Sequence, residues 1–251
     1  MTDTVERFSN RVKNYVKYRP DYPREIIGYL EVNCGLTHES VIADIGCGTG
    51  ISSRIFLENG NRVLGVEPNA AMRSAAREYL ARFPNFTPVD GTSDNTTLGD
   101  ASVDMIVAAQ AFHWFEPDAT RMEFRRILKP GGHIVLIWNE RQLDTTPFLV
   151  EYEAFLLKHA NDYGNVRHEN FHAKELSDFF QQEYGSATFS NKQVFDFDGL
   201  KGRMLSASYM PSESDQKFDT VVEDLHRLFV KHAEYGKIEI FYDTNVYHCQ
   251  I

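Results

Sequence analysis

Hydrophobic residues along the first 140 positions fall into five short runs: "VIADI" (41–45), "RVLGVE" (62–67), "FTPVD" (86–90), "VDMIVAA" (103–109) and "HIVLIWN" (133–139). They are apolar and partly β-branched without strict alternation, as strands buried on both faces should be. Between them lie helix-length stretches at 50–59 (closed by Gly60), 69–82 and 118–129 (begun by Asp118, stopped by Pro130). Repeated strand–helix units predict parallel strands joined by right-handed crossovers, hence a doubly wound α/β sheet. Ahead of them, Val5, Phe8, Val12 and Tyr15 share one helical face and Ile26, Ile27 and Leu30 another. "YRPDYP" separates the two, because each proline disfavours helix at the residue before it.

Beyond residue 140 the rhythm loosens. The patterns predict helices at about 147–160, 172–184 and 212–232, the last with Phe218, Val221, Val222, Leu225 and Phe229 on one stripe. Strand patterns at 187–197 and 237–249 predict an antiparallel closing edge. Nothing reads as a linker or repeat, so one domain is expected over 1–251: an N-terminal helical cap (1–37), a core (38–140), then lid helices and closing strands (141–251).

"ADIGCGTG" (43–50) sets glycines at 46, 48 and 50 directly after the first strand. A glycine-rich strand-to-helix turn lets the backbone approach a nucleotide, and the helix start offers free N–H groups. Glu67 closes the second strand 23 residues after Asp44, where a carboxylate can accept from both hydroxyls of a ribose. Nicotinamide dinucleotides and S-adenosylmethionine share this layout. The dinucleotide fingerprint requires a small third residue, and that position is Ile51. Neither Tyr-x-x-x-Lys nor the Walker pattern occurs, so hydride transfer and nucleotide hydrolysis lose ground.

Acidic groups outnumber basic ones 36 to 26, a formal charge of −10. This argues against a nucleic-acid partner, whose affinity rests on Lys and Arg. No membrane span or secretory leader is recognisable, so the expected address is cytoplasmic. Cys34, Cys47 and Cys249 are odd in number and far apart, as reduced thiols are.

"VIADIGCGTG" with "GVEPNAAM" (65–72) resembles the first two motifs of the class I S-adenosylmethionine-dependent methyltransferases. "GTSDNTTLGDASVDMIVAAQAFHWF" (91–115) and "RILKPGGHIVLIWNE" (126–140) are similar to the later motifs of the small-molecule branch known as the type 11 methyltransferase domain. "YVKYRPDYP" (15–23) and, more weakly, "GRMLSASYMP" (202–211) resemble a sub-branch that includes trans-aconitate methyltransferase-like proteins. The resemblance implies a Rossmann-like, mostly parallel seven-stranded sheet with N- and C-terminal helical lids. It implies S-adenosylmethionine as cofactor, S-adenosylhomocysteine as product, and a small-molecule acceptor with a carboxylate oxygen as the candidate atom.

Position by position, it implies that Asp44 orients the glycine loop or meets the methionyl amino group, while Gly46 and Gly48 let the backbone pass. Glu67 holds the ribose, Asp94 (after Ser93) lies near the adenine amino group, and Gln110 faces the methionyl end. The branch's usual Leu-Pro after the acidic residue is replaced by Thr96-Thr97. Tyr15, Tyr18 and Arg19 either cap the cofactor or pack their helix onto the sheet.

Methyl transfer from a sulfonium is an in-line displacement that leaves no group to protonate. Alignment is its main requirement, a contribution of about 7–11 kcal/mol. A base is needed only for an acceptor protonated at neutral pH. Ligands of open α/β sheets bind at strand C-termini, which puts His113, Trp114, Trp138 and Arg141 at the rim. His113 is the candidate base there, or else a structural histidine. Trp114 and Trp138 serve an acceptor pocket or the core. Arg141 meets an acidic acceptor or solvent. "HENFH" (168–172) matches a zinc-protease string, but it follows a loop-like stretch and straddles a helix boundary. It reads as a chance match, and no metal is expected. A cofactor-binding protein without transferase activity, a sensor or partner subunit, is the alternative.

Overall fold

The computed structural model describes residues 16–161, 163, 173–207 and 209–251. Tyr15, residues 5–15 of the helix predicted at 5–16, and His168 and His172 of "HENFH" lie outside them.

The chain runs α1 (Glu25–Cys34), β1 (Val41–Ile45), α2 (Ile51–Glu58), β2 (Arg62–Val66), α3 (Ala70–Tyr79), β3 (Phe86–Val89) and β4 (Val103–Ala109). A 3-10 turn (Phe112–Trp114) precedes α4 (Pro117–Ile127) and β5 (Leu128–Arg141). The remainder is α5 (Pro147–His159), α6 (Ala173–Phe180), β6 (Gly185–Phe195), α7 (Phe197–Leu205), α8 (Phe218–His232) and β7 (Ile238–Gln250). The seven strands form one sheet in the order β3-β2-β1-β4-β5-β7-β6. β1 to β5 pair in parallel, and β7 runs antiparallel to both β5 and β6. The order reverses between β1 and β4, so the C-terminal rim there is the switch point where such sheets open a crevice.

The apolar runs fill both faces of this sheet. Ile42, Val63, Met105, Val107 and Ile137 join Ile26, Leu30 and Phe56 on one side. Ile45, Val66, Ile106, Leu136 and Trp138 meet Phe124 and Phe179 on the other. A third cluster packs α5, α7 and α8 over β6 and β7 through Tyr152, Leu200, Met204, Leu225 and Tyr242, with Tyr18 against it. All three cysteines are buried and unbridged. No helix among the described residues is long and apolar enough to cross a membrane.

Among the elements that differ from the sequence expectation, three do so for a local reason. α4 starts one residue earlier than Asp118: Pro117 opens it, and the Glu116 carboxylate caps it by accepting from Ala119 N at 2.7 Å. α8 starts at Phe218 rather than 212, because turns run from Ser212 O to Asp215 N and from Asp215 O to Phe218 N. The Asp215 side chain also takes Lys217 N at 2.9 Å, drawing the backbone away from helix.

Helix α7 is absent from the hydropathy pattern, since Gly199 and Gly202 dilute it. It is nonetheless capped by Asp196, whose Oδ1 accepts from Gly199 N at 2.8 Å. Gly202 is required by contact: a Cβ there would stand 2.1 Å from the Tyr18 ring. Gly202→Ala is therefore expected to destabilise the fold by about 1–3 kcal/mol, despite alanine's better helix propensity. Thermal unfolding of the variant checks this, and an unchanged midpoint would contradict the close packing of Tyr18.

Candidate functional site

β1 delivers the chain to a loop folded on its own backbone. Gly46 N and Cys47 N both donate to Val66 O, at 2.8 and 3.2 Å, and Gly50 N donates to Cys47 O at 2.8 Å. Gly46 lies at φ 68°, and a Cβ there would come within 2.7 Å of Ala111 Cβ, so that glycine is fixed by packing. Gly48 differs. Its φ of 56° also favours glycine, but a Cβ would meet nothing within 4 Å. The space in front of Gly48 is open.

Glu67 spans the mouth of this loop. Its Oε2 accepts from Gly48 N at 3.0 Å and its Oε1 from Asn69 N at 2.9 Å. Burial pushes its pKa up while these two amides and the Arg73 guanidinium pull it down. Each oxygen keeps a lone pair for a further donor. Asn69 caps α3 through Ala71 N and Met72 N, which sets the N–H that Glu67 receives.

Asp44 lies behind the loop with no solvent exposure. Its Oδ2 accepts from Ser52 Oγ at 2.7 Å and Ser53 Oγ at 2.6 Å. Its Oδ1, like Thr49 Oγ1 and Gln110 Oε1, is buried and has no hydrogen-bond partner among the described residues. Burial raises the Asp44 pKa to about 6 against the two serine hydroxyls. Gln110 is held at φ 57° by Ile137 O, which accepts its N–H at 3.0 Å, and by Asn139 O, which accepts from Nε2 at 2.9 Å. A non-glycine residue in that region carries backbone strain. These unsatisfied acceptors, with the open face of Gly48, fit a ligand that carries N–H and O–H donors.

Across the rim, Ser93 Oγ accepts from Thr120 Oγ1 at 3.0 Å, and the Asp94 side chain is exposed beside it. The replaced Leu-Pro proves to be an anchor. Thr96 is buried, and its N and Oγ1 donate to Glu123 Oε1 at 2.8 and 2.5 Å. Arg126 grips both Glu123 oxygens at 2.7 and 2.8 Å and holds the pKa of that carboxyl down at about 2. Glu123→Ala is expected to destabilise the fold by about 2–3 kcal/mol, since it strips a buried amide and a hydroxyl of a charged acceptor. In wild type this contribution is present above the unfolded carboxyl's pKa of about 4 and is lost as pH falls toward 2. Urea titration at pH 7 and pH 3 would show the gap between the two proteins narrowing; a constant gap would contradict it.

The acceptor candidates divide. His113 stands on the 3-10 turn, with ring centroids 4.5 Å from Trp114 and 5.9 Å from Trp138. Desolvation by the surrounding protein lowers its pKa to about 4. It is therefore neutral at physiological pH. Trp114 is 45% exposed, while Trp138 is 1% exposed and backs the histidine. Arg141 does not face solvent. It pairs with Glu153, its Nη2 donates to Tyr163 Oη at 2.8 Å, and it lies 5.3 Å from the Tyr152 ring centroid.

Tyr18 and Arg19 pack onto the lid rather than the parallel sheet. Tyr18 sits over Gly202 and its carbonyl accepts from Gln193, while Arg19 Nη2 donates to Ser206 O at 3.0 Å. Motif reading missed Ser52, Ser53, Asn69, Thr49 and Glu123. Asn69 carried a usable signal, a capping residue immediately before a helical pattern. Glu123 carried none, because its partner Thr96 lies 27 residues away.

Residues 43–136 match the family model of a methyltransferase domain. A protein of Schizosaccharomyces pombe described as uncharacterised and methyltransferase-like is 26% identical over 247 residues, spanning 96% of this chain and 93% of its own. An uncharacterised methyltransferase of Mycobacterium tuberculosis is 35% identical over 134 residues, about half of each chain (53% and 52%). The fold matches a solved structure from Anaeromyxobacter dehalogenans, named as a candidate type II methyltransferase, with a TM-score of 0.67 at 19% identity over 93% of this chain and 98% of that one. Residues 43–136 thus carry a methyltransferase domain, on a chain similar over nearly its whole length to a methyltransferase-like protein and folded like a solved candidate methyltransferase.

Proposed function

We propose that this enzyme methylates a small acceptor through a carboxylate oxygen, with S-adenosylmethionine held by Asp44, Gly46, Gly48, Glu67, Ser93, Asp94 and Gln110. The observation that carries the cofactor placement is the trio of unsatisfied buried acceptors, Asp44 Oδ1, Thr49 Oγ1 and Gln110 Oε1, around an open glycine face. A cationic ammonium and ribose hydroxyls are the donors such a set lacks. Bound there, the cofactor would supply a sulfonium methyl to an acceptor oxygen, the C–S bonding pair returning to sulfur as the C–O bond forms.

The chain's own residues do the rest by holding geometry. Glu67 accepts ribose hydroxyls while its amide bonds fix the loop. The strained Gln110 backbone aims its amide at the methionyl end, and Asp44 completes that grip. Thr96 and Glu123 hold the loop that presents Ser93 and Asp94. No proton needs to move for a carboxylate acceptor, which agrees with a rim histidine that stays neutral and is too weakly basic to deprotonate a phenol or carbon acid. His113 acts here as a hydrogen-bonding wall, with Trp114 beside it.

The test follows label from a methyl-labelled cofactor into small carboxylic acids. The expected product is a methyl ester from which mild base releases labelled methanol; base-stable label would overturn the carboxylate assignment. The turnover rate is expected to stay flat from about pH 7 to 9, since an ionised carboxylate has a pKa of about 4–5. A rate that rises tenfold per pH unit would instead require a base.

A further inference from the structure

Arg203 projects from α7 into the third cluster with 9% of its surface exposed, among Tyr152, Tyr209 and Tyr242. Its Nε reaches Tyr242 Oη only at 3.4 Å and its Nη1 reaches Ser206 Oγ only at 3.5 Å. Both lie at the outer limit of a hydrogen bond. No carboxylate pairs with it among the described residues. Its neighbour Arg141, by contrast, is neutralised by Glu153, which also accepts from Tyr163. Tyr152 touches the fields of both arginines. Among the described residues, Arg141 thus has a carboxylate partner and Arg203, buried beside it, has none. Burying an unpaired cation is costly, so a packed apolar residue would serve stability better.

The place of this charge is informative. Tyr242 stands opposite Arg141 in the β5–β7 register. Arg141 lies two residues beyond Asn139, whose carbonyl accepts from Gln110. Two residues of strand span about 6.6–6.8 Å, the length of a small organic acid. The Tyr242 hydroxyl donates to Gln193 Oε1 at 2.8 Å, which keeps its oxygen turned to Arg203 and its ring fixed.

We propose that Arg203 binds a carboxylate of the acceptor that is not the methylated atom, so that the substrate carries an anion at its lid-facing end. The inference rests on the methyl-transfer reading of the rim. A planar guanidinium without a carboxylate partner of its own suits the two oxygens of a monovalent carboxylate. Arg203 would thereby set which small molecules enter, while Arg141, tied to Glu153, shapes the wall.

The test measures thermal midpoints of the S-adenosylhomocysteine-saturated protein against succinate, glutarate and inorganic phosphate, after a separate titration of S-adenosylhomocysteine. Wild type is expected to be stabilised by a dicarboxylate, with at least tenfold weaker apparent affinity in Arg203→Met, several-fold weaker in Tyr242→Phe and partial recovery in Arg203→Lys. Without carboxylate, Arg203→Met is expected to melt at or above the wild-type temperature. The proposal is overturned by a dicarboxylate response that survives in both Arg203→Met and Tyr242→Phe. A response to phosphate alone, or none in wild type that binds S-adenosylhomocysteine, overturns it equally. So does a sharply lowered Arg203→Met midpoint with Tyr242→Phe binding intact, because that is a structural role. Failure of S-adenosylhomocysteine itself to bind would remove the underlying reading as well.

Discussion

Gly48→Asp should abolish cofactor binding while leaving a folded protein. The left-handed backbone at this position costs a side chain about 1–2 kcal/mol, less for Asp than for most residues. A Cβ there meets no protein atom within 4 Å, so packing adds no further penalty. The new carboxylate instead enters the space proposed for the cofactor, beside Glu67, whose Oε2 already accepts from residue 48 N at 3.0 Å. Steric exclusion and like charge together should weaken binding by at least about 100-fold, or 2.7 kcal/mol. The melting temperature should fall by only a few degrees. Titration of the variant with S-adenosylhomocysteine checks this; wild-type affinity would mean that the loop is not the site.

Asp44 should tie cofactor affinity to pH in a direction opposite to its effect on stability. Its folded pKa is about 6, raised by burial from the usual carboxylate value. A raised folded pKa means that ionised Asp44 opposes folding, by about 3 kcal/mol at pH 7, and that this cost is relieved as pH falls from 6 toward 4. Asp44→Asn should therefore match or exceed wild-type stability at pH 7.5 in the absence of ligand, and lose that advantage by about pH 4.

Binding runs the other way. A methionyl ammonium favours the ionised carboxylate, so wild-type affinity should fall by up to about tenfold per pH unit below pH 6. Asp44→Asn should bind about 10- to 100-fold more weakly at pH 7.5, with little pH dependence, as befits a lost charge-assisted hydrogen bond. Calorimetric titrations from pH 5 to 8 separate the two curves. A wild-type affinity flat across that range would contradict contact between Asp44 and the ammonium.

The parallel half of the fold was readable because doubly buried strands are short unbroken apolar runs, and β1 to β4 begin and end within two residues of theirs. Strand β5 runs on at both ends, from Leu128 through Pro130 and two glycines to Arg141, because its pairing with β4 shifts register near Val103 and β7 supports its far end. No local pattern encodes that support. Helix α7 stayed hidden for a similar reason: Gly202 is there to admit Tyr18, 184 residues earlier in the chain, and local propensity works against it.

Within the site, the glycine loop was legible, since alternate glycines directly after a buried strand mark a turn that side chains would obstruct; packing explains Gly46 and Gly50, while Gly48 faces open space. Residues that serve through partners were not. Asp44 was visible, but not that Ser52 and Ser53 hold one oxygen and leave the other bare. Arg141 read as a rim group open to solvent or substrate, whereas Glu153 occupies it and, among the described residues, Arg203 is the one beside it without a carboxylate. Charge pairing across distant elements depends on the tertiary fold, and single-sequence spacing does not carry it.

The most direct measurement is calorimetric titration of the wild-type protein with S-adenosylmethionine and S-adenosylhomocysteine, with NADH as the comparison. The account predicts binding of both adenosyl ligands, no heat from NADH, and loss of the signal in Gly48→Asp. Binding of NADH in their place, or adenosyl binding that Gly48→Asp leaves intact, would contradict it.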